Sequence, residues 1–274
     1  MSDGCRETVV VVPPPAEPHG IVCGIWRSLD GPADAEPVAS AVPANVYACL
    51  NLVAVGQVIT AQGLALPARF VTGPMSRPLL TLARAPLKSA SIVLQPWLLP
   101  TLFGGKPRSW VDRCGAPDAL EVTPPGLTTL LDRCAESPEA LSAALAAWVD
   151  ALQPADSDGP RLTEMLANAG TVAAAAAALR LSERQFERRF TGACGLTPRR
   201  WLTIRRYEHS LVQLAQDGQP LVEVAAEAGF ADQAHMTRVF RDVAARTPAQ
   251  TRRGVVAPQP GDWPLRPAQG LRRR

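Results

Sequence analysis

The 274-residue chain is long enough for two domains, and its residues are 47% hydrophobic but only 5% aromatic. Residues 1–160 carry 10 Lys and Arg and 15 Asp and Glu, a net charge of −5, whereas residues 161–274 carry 18 and 10, a net charge of +8. No run of about twenty apolar residues occurs and the first residues lack the pattern of a secretory signal, which argues against a transmembrane helix and predicts a cytoplasmic protein without membrane contacts.

The charge split has two interpretations. A basic second half is typical of a module that binds a polyanion, and a solvated basic face is the alternative.

The six cysteines and three histidines do not have the spacing of a metal site. No two cysteines form a CxxC pair, so in a cytoplasmic protein we expect reduced thiols that are mostly buried as small apolar side chains. We therefore predict no metal ion, no cofactor and no enzymatic activity. A redox switch through Cys23, Cys49 or Cys114 is the alternative to inert thiols.

Residues 1–125 are interrupted by prolines and glycines and contain short apolar runs, such as residues 47–55 and 91–94. This pattern predicts a β-rich domain with many turns. Trp26, Trp97 and Trp110 could line a pocket in it, but tryptophans in such a domain more often belong to the core.

Residues 126–160 are predicted to be a helical connector followed by a linker. Leucines from 127 to 145 recur with helical spacing, and Ser137-Pro138 is typical of a helix start. Residues 153–160 contain Pro, Gly and Asp and make the best linker in the chain.

Residues 161–256 are predicted to be all-helical. Caps, prolines and glycines delimit helices at 162–168, 172–178, 183–193 and 198–216, another from Pro220 to Gly229, one from Asp232 to 244, and a last turn from Thr247. The tail, residues 257–274, ends in three arginines and is predicted to be basic and disordered.

A repeat with an offset of 50 residues is the most informative feature of this part. The repeated positions are Ser182 and Asp232, Arg188 and Arg238, Phe190 and Phe240, and Thr197-Pro198 and Thr247-Pro248. Each copy predicts a short helix, a tight turn and a capped helix with a basic face and a buried Phe. That arrangement is a helix-turn-helix, present twice.

Two capped helices of this kind suit DNA. Side chains near the N-terminal end of such a helix reach base edges in the major groove, and its free N–H groups favour nearby phosphates. If the 198–216 helix holds them rigidly, the two helices could enter grooves about 34 Å apart, which is one turn of the duplex.

Residues from about 161 to 254 resemble the DNA-binding domain of AraC/XylS-type transcription regulators. The residues that carry the resemblance are 181–190 (LSERQFERRF), the turn 195–198 (GLTP) and 228–240 (AGFADQAHMTRVF). The family fold has two helix-turn-helix units joined by a long helix. The resemblance thus implies an α+β chain, with a β-rich, cupin-like N-terminal domain before this all-α domain.

The sequence departs from the family at three positions. Arg180 occupies the first turn, where glycine or another turn-tolerant residue is usual. Ala245 replaces the usual glycine before the last Thr-Pro, and Thr251 stands where an aromatic residue is usual. These departures concern local stability more than the assignment.

The resemblance implies roles for individual side chains. The predicted groove-facing residues are Arg184, Glu187 and Arg188 in the first unit and Gln233, Ala234, His235, Thr237 and Arg238 in the second. Arg188 and Arg238 are the best candidates for bidentate contacts to guanine. Glu187 could accept a hydrogen bond from cytosine or orient an arginine. Candidates for phosphate contacts are Ser182, Arg199, Arg200, Arg205 and Arg206, although an exposed helix face explains the arginines equally well.

The N-terminal half resembles, more loosely, the sensor domain of one AraC-type subgroup. The resemblance rests on residues 70–78 and 93–97, with short motifs at 25–26 and 43–45. It implies a domain that binds a small-molecule effector or mediates dimerisation. The expected partners are double-stranded DNA, an effector, and RNA polymerase if the protein is an activator, with a homodimer left open and a nucleoid-associated cytoplasmic location.

An enzymatic alternative comes from DNA-alkylation repair proteins, which join a similar module to a methyl-accepting cysteine. That chemistry needs an activated thiolate. Neither a four-cysteine cluster nor a Pro-Cys-His motif occurs in the sequence, so the regulator is favoured.

Overall fold

In the computed structural model, two antiparallel β-sheets form the N-terminal half of the chain. The structure describes residues 5–14, 20–115, 133–151, 157–215 and 218–256. The first half of the predicted connector, residues 153–156 of the predicted linker and the tail 257–274 lie outside these ranges, and the proposed domain boundaries stay predictions.

The β-rich character predicted for the N-terminal half is confirmed. Its strands are β1 (Arg6–Val12), β2 (Ile21–Asp30), β3 (Val38–Val42), β4 (Ala48–Val55), β5 (Val58–Thr60), β6 (Arg69–Thr72), β7 (Leu79–Ala83), β8 (Leu87–Leu94) and β9 (Cys114–Gly115). The large sheet has the order β1-β2-β8-β4-β6-β9 and the small sheet the order β3-β7-β5.

Helices cover one face of the large sheet. Leu50, Ile92 and Leu94 on this face pack against α1 (Leu99–Phe103) and α2 (Pro138–Ala151). The predicted start of α2 is confirmed, because the Ser137 hydroxyl accepts a hydrogen bond from the Ala140 N–H at 3.2 Å.

Glycine at position 24 lets α2 approach the large sheet closely. A Cβ atom at this position would lie 2.8 Å from a methyl carbon of Leu141 and 2.9 Å from one of Leu145. The apolar face thus acquires a helical cover and is removed from water.

The opposite face of the large sheet lines a cavity of about 590 Å³ that the small sheet also borders. Side chains of β2, β4 and β8 alternate between the two faces, as the two-residue period of a strand requires. Along β8, for example, Ser91 and Val93 line the cavity, whereas Ile92 belongs to the core beneath the helices.

Helices form the C-terminal half, as predicted. They are α3 (Gly159–Ala169), α4 (Val172–Ala178), α5 (Glu183–Cys194), α6 (Pro198–Leu214), α7 (Leu221–Glu227), α8 (Gln233–Ala244) and α9 (Pro248–Val256). α3 begins within the predicted linker, and α9 continues well beyond the single turn expected after Thr247.

The caps predicted for the two repeated helices are present. Ser182 and Gln185 form a reciprocal capping box at the start of α5, and the Asp232 carboxylate accepts from the His235 N–H at 2.5 Å at the start of α8. These bonds satisfy backbone donors that lack a partner in the first turn of a helix. The duplicated helix-turn-helix is therefore confirmed as a fold.

Phe186, Phe190, Met236 and Phe240 are fully buried, as the sequence predicted. The rings of Phe190 and Trp201 lie 5.8 Å apart, and those of Tyr207 and Phe240 lie 4.8 Å apart, both edge to face. The long helix α6 therefore carries one aromatic contact to each recognition helix, which joins the two units through a common core.

Candidate nucleic-acid interface and the adjoining cavity

The first helix-turn-helix unit consists of α4 and α5. The side chains of Arg184 and Arg188 are exposed on α5, whereas Glu187 is half-buried. Arg199, 78% exposed, approaches the Glu187 carboxylate at 3.9 Å. Glu187 thus lies where it can orient a neighbouring arginine, which is one of the two roles expected for it.

The second unit consists of α7 and α8. Gln233, Ala234 and Arg238 are exposed, and His235 and Thr237 are half-buried. His235 accepts from the Ala231 N–H through Nδ1 at 3.2 Å and packs edge-on against Phe230.

Thr237 donates from Oγ1 to the Gln233 carbonyl at 2.9 Å. His235 and Thr237 therefore both stabilise the start of α8, whatever else they contact.

The candidate phosphate ligands fall into two groups. Ser182 and Arg199 lie on the exposed surface, and the Arg206 guanidinium lies 5.8 Å from the centre of the Phe230 ring. Arg200 and Arg205 are instead engaged within the protein.

The Arg200 guanidinium donates to the Ser76 carbonyl and pairs with Asp242. Arg205 pairs with Glu208 and donates to the Tyr47 hydroxyl at 3.0 Å. The phosphate contacts predicted for Arg200 and Arg205 are thus not supported in this arrangement, because both side chains bind the N-terminal half.

The loop between β3 and β4 connects the two halves. Ala44 and Val46 from this loop are buried in the same core cluster as Phe190 and Phe240. The Ala44 N–H also donates to the carbonyl of Val243 in α8 at 2.7 Å. The N-terminal half thus completes the core of the helical half.

The cavity lies where these two halves meet. Its walls include Val42 at the end of β3, Ala44 and Tyr47 from the β3–β4 loop and, from α6, Arg205 and Glu208. A molecule bound at this end of the cavity would touch the sheet domain and the helix that joins both helix-turn-helix units.

A polar cluster of Tyr47, Arg205 and Glu208 lies at this end of the cavity. Burial raises the pKa of the Glu208 carboxyl, and the Arg205 guanidinium offsets part of that rise. Burial likewise raises the pKa of the Tyr47 hydroxyl. The cluster combines one paired cation, one paired carboxyl and a neutral phenol.

The rest of the cavity has an apolar floor and polar groups that are already paired. Cys23, Ile25, Cys49 and Val93 form the floor. Asn51, near the middle, donates to the Phe70 carbonyl and accepts from the Ser91 hydroxyl.

At the far end of the cavity, Glu7 and Arg27 form an ion pair. Trp26, Trp97 and Trp110 pack against hydrophobic cores and are not among the lining residues, so the core interpretation of these tryptophans is confirmed.

The six cysteines are free thiols that are buried or half-buried. Burial raises the pKa of the Cys23, Cys49 and Cys194 thiols to about 12 and that of Cys114 and Cys134 to about 11. Cys23 and Cys49 both pair with Val93, on the two strands that flank β8. Their Cα atoms are thus about two strand spacings apart, roughly 9–10 Å, which is too far for a disulfide.

The residues at the junction of the halves were not predicted from the sequence. Positions 43–45 were expected only as a short motif without a role, and no role was predicted for Val46, Tyr47 or Glu208. Their roles depend on contacts across more than 150 positions of the chain, such as that between Tyr47 and Arg205. A periodicity or cap signal within one element does not reveal such pairs.

Neither a membrane-spanning helix nor a metal site occurs among the described residues. Within ranges 5–14, 20–115, 133–151, 157–215 and 218–256, no helix is long and apolar enough to cross a membrane. In the same ranges no group of three or more His, Cys, Asp and Glu side chains could hold a metal ion.

Sequence comparison shows that the C-terminal region is similar to known helix-turn-helix proteins. Residues 175–254 match a family described as helix-turn-helix domain. The HTH-type transcriptional regulator ExsA of Pseudomonas aeruginosa is 35% identical over 71 residues, which are 25% of this chain and 25% of that protein. An uncharacterized HTH-type transcriptional regulator of Haemophilus influenzae is 32% identical over 75 residues, 27% of this chain and 25% of that protein. The match thus spans about a quarter of each relative.

Solved structures give weaker similarities. A transcriptional regulator of the AraC-type DNA-binding class from Chromobacterium violaceum is 23% identical, covers 36% of this chain and 96% of its own, and has a TM-score of 0.34. ToxT from Vibrio cholerae O395 is 11% identical, covers 93% of this chain and 99% of its own, and has a TM-score of 0.43.

Proposed function

Starting from a chain whose C-terminal third is an AraC-type helix-turn-helix domain, we propose that the protein is a sequence-specific transcription regulator. It inserts α5 and α8 into successive major grooves of one duplex. The observation that carries the proposal is the duplicated N-capped helix with an exposed arginine, Arg188 and Arg238, at equivalent positions.

Base readout falls to side chains on these two helices that are exposed or half-buried. The residues proposed to face the groove are Arg184, Glu187, Arg188, Gln233, Ala234, His235, Thr237 and Arg238. A guanidinium can bind O6 and N7 of guanine together, so Arg188 and Arg238 are the proposed principal readers. Ser182, Arg199 and Arg206 remain the proposed phosphate ligands, because Arg200 and Arg205 are engaged elsewhere.

The N-terminal half is proposed to bind a small-molecule effector in the cavity. Its volume of about 590 Å³ falls within the range of ligand sites, roughly 300–1,000 Å³. Because α6 contributes to the wall, an occupant can favour one arrangement of the two recognition helices over another. Contact with RNA polymerase, should the protein be an activator, and assembly into a homodimer belong to the same proposal.

Thiol chemistry is the less favoured alternative. A methyl-accepting or redox-sensing cysteine works as a thiolate, and the raised pKa values of the buried thiols oppose its formation. A non-enzymatic regulator in the cytoplasm is therefore the function proposed.

The experiment is selection of bound fragments from genomic or random DNA, followed by affinity measurements at several salt concentrations. The proposal expects a recurring sequence in the bound pool and an affinity for it that falls steeply with salt, since each neutralised phosphate releases counterions. Recovery of random fragments, or an affinity insensitive to salt, contradicts it.

A further inference from the structure

A basic loop in the N-terminal half lies beside the first helix-turn-helix unit. We use this name for residues 104–113, which contain a 3₁₀ turn (Pro107–Trp110) and carry Lys106, Arg108 and Arg113, all exposed. Residues 1–160 are acidic overall and contain 10 basic residues, so three of them within ten positions form a local concentration of positive charge.

The acidic residue of the basic loop does not neutralise these side chains. The Asp112 carboxylate accepts hydrogen bonds from the N–H group of Ser76, at 2.6 Å, and from its hydroxyl. Among the described residues, no ion pair links Lys106, Arg108 or Arg113 to a carboxylate. Within the part of the chain that the structure describes, the three cations thus have no carboxylate partner and can meet an external anion.

The basic loop packs on the C-terminal end of α5. Gly195, the residue after α5, has φ +81°, and a Cβ atom there would lie 3.0 Å from the Pro107 carbonyl oxygen and 3.0 Å from a Val111 methyl group. A glycine at this position permits both the left-handed backbone and the close approach of the loop.

A second attachment fixes the basic loop to α6 and α8. Ser76, which binds Asp112, accepts a hydrogen bond through its carbonyl from the Arg200 guanidinium. Arg200 lies in the first turn of α6 and also pairs with Asp242 of α8. The loop is therefore held in a fixed relation to the helices proposed to enter DNA.

Helix geometry places the basic loop near the DNA backbone. Gly195 lies seven positions after Arg188, which is about 10 Å along the helix axis. The major groove is about 12 Å wide and is bounded by two sugar-phosphate backbones. When α5 crosses the groove with Arg188 at the base edges, its C-terminal end and a cation beside that end lie next to one of these backbones.

We infer that the N-terminal half itself binds DNA. Lys106 and Arg108 of the basic loop contact backbone phosphates beside the site read by α5, and Arg113 extends the same positive surface. The inference rests on the proposed function, because it requires α5 to enter the groove. It adds sequence-independent affinity from a domain outside the helix-turn-helix region.

The test is the double variant Lys106→Gln and Arg108→Gln in the full-length chain, with the selected DNA site titrated from 50 to 200 mM salt. Loss of two phosphate contacts makes the slope of log K against log salt shallower by about 1.8. The ratio of wild-type to variant affinity should therefore fall roughly tenfold between 50 and 200 mM salt. The order of preference among DNA sequences stays that of the wild type, since phosphates carry no sequence information.

The matched control is Arg84→Gln with Lys88→Gln. It removes the same charge from exposed positions near the other ends of β7 and β8, away from Ser76 and from Trp97. The control is expected to keep the wild-type slope. An unchanged slope in the loop variant, or an equal change in the control, overturns the inference.

Two further readouts separate folding and function. An equal melting temperature in wild type and loop variant supports direct contact, because both side chains are exposed. If the loop variant is less stable, Arg108→Glu alone must lower affinity more than Arg108→Gln, and equal affinities contradict the inference.

Failure of this inference can be distinguished from failure of the proposed function. If the wild type binds no DNA, the proposed function fails. If it binds DNA through Arg188 but the salt slope of the loop variant is unchanged, this inference alone fails.

Discussion

Arg188 and Arg238 have equivalent surroundings at the residue scale. Each projects from a capped helix whose neighbouring phenylalanine, Phe190 or Phe240, is fully buried. The buried ring fixes the rotation of the helix and leaves the arginine on the opposite, exposed side. The spacing between cap, arginine and phenylalanine was sufficient to predict this from the sequence.

We expect Arg188→Ala and Arg238→Ala each to relax base preference at a different position of the selected site. Loss of a bidentate contact to guanine is worth about 1–3 kcal/mol, which is about 5- to 150-fold in affinity. Competition binding with every base at each position measures it. Arg189→Ala, also exposed on α5, is the control, and an unchanged preference in both single variants would refute base readout.

Ala245 adopts a left-handed conformation, with φ +55°, at the end of α8. This backbone costs a non-glycine residue roughly 1 kcal/mol. Ala245→Gly is therefore expected to stabilise the chain by about 0.5–1 kcal/mol in urea unfolding. Ala244→Gly, at the buried last residue of α8, should destabilise it, and a loss of stability in both variants would show that the strain is absent.

The departures at positions 180 and 245 were read from the sequence as sites of altered local stability. Both indeed have positive φ, +54° at Arg180 and +55° at Ala245. At the third departure, Thr251 is fully buried and donates from Oγ1 to the Thr247 carbonyl at 3.0 Å. A small side chain that bonds to its own helix backbone thus stands at the position where an aromatic ring is usual.

The buried thiols make a prediction about pH. With pKa values near 12, Cys23, Cys49 and Cys194 stay protonated at pH 8, and the fraction of thiolate rises only as pH approaches those values. Iodoacetamide should therefore modify them slowly in the native protein and rapidly in urea. Peptide mass spectrometry reads each site separately, and fast native labelling at pH 8 would contradict the burial.

At the element scale, the helices of the C-terminal half were predictable and the junction was not. Caps at Ser182 and Asp232 and the stop at Gly229 are local signals, so they locate helix ends from a few neighbouring residues. The β3–β4 loop acts through distant partners, because Ala44 bonds to Val243 and packs in the core of the helical half. Its sequence shows only that a turn occurs there.

Ala44 provides a test of the junction. Because Ala44 is buried in the core of the helical half, Ala44→Leu adds volume to a packed site and should destabilise the chain by about 1–3 kcal/mol. Chemical unfolding of the full chain measures the effect. Ala39→Leu, at an exposed position of β3, is the control, and equal stability of the two variants would show that the loop does not complete the core.

At the scale of the whole molecule, the cavity and the two helix-turn-helix units share one helix. α6 packs on both recognition helices through Trp201 and Tyr207, and it presents Arg205 and Glu208 to the cavity. Composition predicted two modules of opposite charge, but charge says nothing about how they meet. The wall that α6 contributes was therefore found only in the structure.

A large side chain that fills the cavity tests whether a small-molecule effector binds there. Val93→Trp places a large ring over the apolar floor, so it should abolish the stabilisation given by any small molecule that raises the melting temperature of the wild type. A thermal-shift screen measures this. Persistence of the same shift in Val93→Trp would place the effector elsewhere.

Footprinting on a selected site tests most directly the claim that two braced helices enter one duplex. The account predicts two protected clusters in the major groove, separated by one helical turn, about 10–10.5 base pairs. Insertion of five base pairs between them rotates the second cluster to the other side of the DNA and should reduce affinity to that of one unit. A single protected cluster, or an affinity unchanged by the insertion, would contradict it.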